Sequence, residues 1–146
     1  MRSYKTFVLL FAYVCIVLSC CKDNKVGINS HSLVGIWEMR VAGGGWVPYV
    51  TFPTGNGHII KFTSSAFEYD SVGKVISSGT YRIVKDHPTA VYGTTDRIIY
   101  DNNTNDSRSY ISLSGDSLRF MIDAYDAGST TYVRISKDPG SILSSK

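Results

Sequence analysis

The stretch Ser109-Tyr-Ile-Ser-Leu-Ser114, Gly115-Asp116, Ser117-Leu-Arg-Phe-Met-Ile-Asp123 decides the fold. Two short runs that mix apolar and polar residues flank a Ser-Gly-Asp turn. In the second run Leu118, Phe120 and Ile122 recur at every second position, the period of a strand with one buried face. Glycine supplies the positive φ that a tight hairpin needs, and serine and aspartate bond the local backbone. The pattern spreads outward from there. Asp126-Ala-Gly-Ser129 leads into a strand over 130–136, and Ser71-Val-Gly-Lys74 joins runs at 66–70 and 75–84. Further strands are expected at 33–41, 58–63 and 97–100, which with 109–114 and 117–123 makes eight. Eight antiparallel strands of this length close into a small up-and-down β-barrel without exposed sheet edges. Trp37, Met39 and Val41 share its inner face with Ile60, Phe62, Phe67, Tyr69, Tyr81 and Ile83, while Glu38 and Arg40 point outward.

Composition agrees with an all-β chain. From Cys20 onward the sequence holds four Leu and five Ala against 32 Val, Ile and Thr and 14 aromatic residues. That bias excludes a helical bundle. The same segment carries 13 basic and 12 acidic side chains. Such a balance lacks the basic excess of a nucleic-acid binder.

The residues before Cys20 form an address. Arg2 and Lys5 precede an apolar run from Phe7 to Leu18, too short to span a bilayer but of the length of a secretory signal core. Val17-Leu18-Ser19-Cys20 resembles the lipobox of bacterial lipoproteins. That resemblance implies removal of residues 1–19, lipidation of Cys20 and a membrane tether through it. An ordinary signal peptide cut near Ser19, or a short uncut anchor, is the alternative. Cys21-Lys22-Asp23-Asn24 is also similar to the surface-export signal of Bacteroidetes lipoproteins. Residues 20–32 read as the lipidated cysteine and a flexible tether, 33–137 as the barrel and 138–146 as a tail. No cysteine follows position 21, so the barrel has no disulfide.

Gly35-Ile36-Trp37 at the start of the first strand, with Arg134 on the last, resembles the signature of the lipocalins and the wider calycin group. Ile60-Lys-Phe-Thr63, Gly79-Thr-Tyr-Arg-Ile83 and the Leu113–Leu118 hairpin fit small bacterial lipocalin-like domains in order and spacing. The resemblance implies that Arg134 lies over Trp37 and closes the base of the barrel. A β-sandwich with Trp37 as an ordinary core residue is the competing architecture.

Residues that could do chemistry are scattered. His31, His58 and His87 form no paired metal-ligand motif, and no nucleophile elbow surrounds the serines. Glu68 and Asp70 share a face that reads as solvated, and 101–106 reads as a polar loop without the glycine and distal glutamate of a calcium loop. These readings point to a non-enzymatic protein with no metal or cofactor. The 16-residue connection 42–57 stands out, because connections of that length are uncommon unless functional or packed on the domain. Its Trp46, Tyr49 and Phe52, with His58 and Tyr92, are the candidate contacts for a small apolar ligand or a protein partner. Two outcomes stay open: the aromatics form a lid over the barrel mouth, or they plug a barrel already full. The expectation is an outer-membrane lipoprotein of the bacterial envelope that binds a small apolar molecule. The alternative is an interaction or inhibitor module using the loop surface of a filled barrel.

Overall fold

A computed structural model describes residues 27–88 and 95–140. After a single turn of helix, α1 (Ser30–Leu33), nine strands follow. They are β1 (Gly35–Gly44), β2 (Val47–Thr51), β3 (His58–Phe62), β4 (Ala66–Ser71), β5 (Lys74–Asp86), β6 (Thr95–Tyr100), β7 (Ser109–Ser114), β8 (Ser117–Ile122) and β9 (Ser129–Ser136). All neighbours are antiparallel. β1 and β3–β9 run in sequence order around the sheet, and β9 returns to pair with β1 from Ser136 against Ile36 up to Ser129 against Gly43. The result is the closed eight-stranded barrel expected from the period-two pattern. The strands expected at 109–114 and 58–63 are found at Ser109–Ser114 and His58–Phe62.

The ninth strand was not foreseen. β1 pairs with β3 only through Gly35–Glu38; its upper half, Val41–Gly44, pairs instead with β2. The long connection is therefore a ribbon that rises from the rim, with every residue of β2 exposed. A polyglycine bend at 43–45, all at positive φ, turns the chain back, which only glycine does without strain.

The base of the barrel is solid. Leu33, Trp37, Phe62, Tyr81, Ile98, Ile111, Leu118 and Tyr132 fill it, with Phe62 and Tyr81 rings edge-on at 4.9 Å. Trp37 is fully buried and its Nε1 donates to Leu33 O at 2.7 Å. Arg134 lies over the indole, 4.2 Å from the ring centroid. Its two terminal nitrogens donate to Val34 O at 2.7 Å and Ser32 O at 2.8 Å. Asp116 supplies a carboxylate oxygen 3.1 Å from Nε, off the N–H direction, so that pair is ionic without a hydrogen bond.

Those bonds draw in the end of the segment read as tether. Ile28 N donates to Asp96 Oδ2 at 3.0 Å, Asn29 caps α1 through Ser32 N, and Tyr81 Oη lies 3.1 Å from Ser30 O. Residues 28–30 are thus bonded to the base of the barrel, two of them through their own backbone groups and Asn29 through its side chain.

Two outward carboxylates are not solvated as expected. Glu68 is only 2% exposed and lies directly across from Lys61, whose Nζ donates to it at 2.6 Å. Glu38 is buried with Arg40 beside it and with the backbone N–H groups of Gly57 and Gly55 turned toward it. Burial raises its carboxyl pKa, but the arginine and the two N–H bonds outweigh burial and hold it below the ordinary range.

Candidate functional site

The ladder around β5 opens the barrel wall. Its 13 residues outrun both neighbours: Lys74–Thr80 pairs only with β4 and Tyr81–Asp86 only with β6. Among the described residues no strand pairs with β5 on that side above the Tyr81–Tyr100 pair. The chain leaves β6 through Asp101 and Asn102, both at positive φ (48° and 56°), and Asn103 N closes the turn on Tyr100 O at 2.8 Å. Aspartate and asparagine tolerate this geometry better than other non-glycine residues.

The turn is clamped to β5 but does not seal the gap. Asp101 N donates to Thr80 O at 2.9 Å, and Asp101 Oδ1 accepts from Thr80 N at 2.7 Å. Gly79 sits so close to this carboxylate that a Cβ there would overlap it. The gap leads into a cleft of about 370 Å³. Its walls are the inward-facing Ile60, Phe67, Tyr69 and Tyr100, and its rim is Ser77, Asp101, Asn103 and Asp106. The Phe67 and Tyr100 rings stand 4.5 Å apart and tilted by 58°. Tyr69 and Tyr132 hydrogen-bond to one another below. Burial, reinforced by neighbouring tyrosines, pushes the Tyr100 and Tyr132 hydroxyls above their ordinary value. Both stay neutral across the physiological range and can donate a hydrogen bond.

A second hollow of about 350 Å³ lies across the barrel top, where Phe120, Met121 and Ile122 face Gly43 and Gly128–Thr130. It is an open trough between β8, β9 and the foot of the ribbon.

Of the residues singled out from the sequence, the described ones (Trp46, Tyr49, Phe52 and His58) line neither hollow. Trp46 is 85% exposed at the bend of the ribbon and Tyr49 is 59% exposed on β2, so they are neither a lid over the cleft nor a plug in the barrel. Phe52 and His58 do meet, edge to face at 5.6 Å, where the ribbon rejoins the rim. His58 Nδ1 lies 3.1 Å from Ser71 Oγ. Asn56 ties this corner to β1, its Nδ2 donating to Met39 O at 2.8 Å and Pro53 O at 2.6 Å. Tyr92 and Cys20 lie outside the described residues. Sequence reasoning placed Phe67 and Tyr69 inside but did not associate them with Tyr100 or with the polar loop at 101–106. The usable signal was the length of the run expected at 75–84, too long to pair throughout with the four residues expected at 97–100.

Among the described residues no group of three or more His, Cys, Asp or Glu is placed to hold a metal ion, and no helix is long and apolar enough to cross a membrane. Comparison with protein-family models, with curated proteins and with solved structures returned no match.

Proposed function

We propose that this chain is a lipoprotein of the bacterial outer membrane, held by lipid on Cys20. Its lipocalin-like barrel binds a small apolar molecule, without catalysis, in the cleft between β5 and the 101–106 loop. The observation that carries this reading is the cleft itself. It lies within the size range of small-molecule sites, has aromatic walls and a few polar groups at the rim, and belongs to a barrel whose base is solid. The Gly35-x-Trp37 and Arg134 arrangement at that base supports the lipocalin-like assignment, and the lipobox supports the anchor.

Binding is tested with naphthalenemethanol, a neutral apolar probe small enough for the cleft, followed by fluorescence and calorimetry. Saturable binding that Ser77→Phe abolishes, by filling the rim, is the expected result. Binding unchanged in Ser77→Phe would place the ligand elsewhere. Cys20→Ser is expected to release the protein from the membrane fraction, and unchanged partition would refute the anchor.

A second reading rests on the ribbon. Trp46, Val47, Tyr49 and Val50 are all more than half exposed on one projecting hairpin. Exposed aromatic residues of this kind are typical anchors of protein interfaces. A partner protein captured by the full chain and lost with Trp46→Ala would favour this interaction role.

A further inference from the structure

The chemistry of the cleft rim narrows the ligand class. Two of its rim groups are carboxylates, Asp101 and Asp106, and among the described residues no lysine, arginine or histidine lines it. Asp101 is fixed rather than mobile: its Oδ1 is held by Thr80 N at 2.7 Å and by the Thr80 hydroxyl at 3.2 Å. Its Oδ2 receives no hydrogen bond among the described residues. Asp106 spends Oδ1 on Ser107 N at 2.8 Å, leaving its other oxygen in the same condition. Arg82, on the outward face of β5, is directed to Asn102 Oδ1 at 3.3 Å and does not neutralise the cleft.

Directly below the carboxylates stand the faces and edges of Phe67, Tyr69 and Tyr100. Aromatic rings attract a cation through their quadrupole, and a carboxylate adds charge pairing at the partly open mouth. An anionic ligand would meet two like charges and gain nothing from the rings. Resting on the reading that this cleft binds small molecules, we infer that its ligand is an amine: an apolar, ring-sized body with a protonated nitrogen held at the Asp101–Asp106 rim.

Three probes of one shape test this on the full chain: naphthylmethylamine, naphthalenemethanol and naphthoate, titrated at neutral pH. The amine should bind about tenfold more tightly than the alcohol, as expected for a partly exposed charge pair with cation–π support. The acid should bind most weakly. In about 1 M salt, where screening falls to roughly 3 Å, the preference should shrink. Asp101→Asn with Asp106→Asn keeps the acceptor for Thr80 N and should bring the affinities of the amine and the alcohol together. Equal affinity for all three probes, or tightest binding of the acid, overturns the amine assignment and leaves the cleft as a binding site. Failure of all three to bind overturns both.

Discussion

Replacing Arg134 by methionine keeps most of the side chain's bulk and removes its charge and its hydrogen-bonding fork. The structure specifies what is lost. Two short charge-assisted bonds, to Val34 O at 2.7 Å and Ser32 O at 2.8 Å, disappear, and the guanidinium leaves the Trp37 ring. Bonds to a charged donor contribute about 1.5–3 kcal/mol each, and a desolvated cation–π contact up to about 2 kcal/mol. These losses share one group and are not additive, and methionine restores some packing. The expected cost is therefore about 3–4 kcal/mol. For a domain of this size that lowers Tm by roughly 10–20 °C. Urea unfolding should show a lower midpoint at unchanged slope, as for a change in the native state alone. Amide exchange at residues 32–34 should accelerate more than at the far end of the barrel. Arg134→Lys, a point charge that cannot bridge two carbonyls, should fall between. A loss below about 1 kcal/mol for Arg134→Met, or unchanged exchange at 32–34, would refute the role given to this base.

The chain has two tryptophans, Trp37 buried and Trp46 exposed. Trp46→Ala should leave stability within about 0.5 kcal/mol and shift the remaining emission to the blue with weaker acrylamide quenching; unchanged quenching would contradict the ribbon. Gly79→Ala should push the Asp101 carboxylate off Thr80 N and cost about 0.5–1.5 kcal/mol, the net contribution of one ordinary hydrogen bond, read by thermal melting. Glu38 is held below its ordinary 4.5, so its contribution is complete above that value and is lost as pH falls through the lower, folded-state value. Melting curves of wild type and Glu38→Gln should therefore converge in acid below about pH 4.5 and separate above it; parallel curves would show that the carboxylate contributes nothing. Tyr81 works in the opposite direction: burial pushes it up to about 12, so its stabilisation is whole below pH 10 and lost between there and 12. Tyr81→Phe should make that alkaline step smaller in a melting-versus-pH series, the raised Tyr100 and Tyr132 supplying the remainder.

Where one face of a strand is buried, the alternation of apolar residues was sufficient to locate it. The strand starting at His58 is read straight from the sequence because Ile60 and Phe62 bury one of its faces in the core. β2 escaped notice for the complementary reason. Both of its faces are exposed, so no periodicity is imposed, and Pro48 together with the flanking Gly43–Gly45 and Pro53 looks like a loop. Alternation also told correctly that Glu68 points outward. It could not tell that Lys61, seven residues away and opposite it in register, would cover the carboxylate. The cleft was illegible for a similar reason. Phe67, Tyr69, Tyr100 and Asp101 come together through a mismatch in pairing length, which is a property of three strands rather than of any one motif.

The closure of β1 on β9 has a consequence for engineering. Ile36 pairs with Ser136, and the backbone at Gly35 is in contact with Ser136 O, so the two ends of the barrel leave side by side at its base. A short linker could join them, and the chain could be reopened at the exposed Gly73 turn with every ladder retained. In such a permuted protein the cut would lie at the opposite end of the barrel from Gly35 and Ser136, beside the ribbon and the cleft. Cargo fused at residue 73 would stand over the barrel mouth.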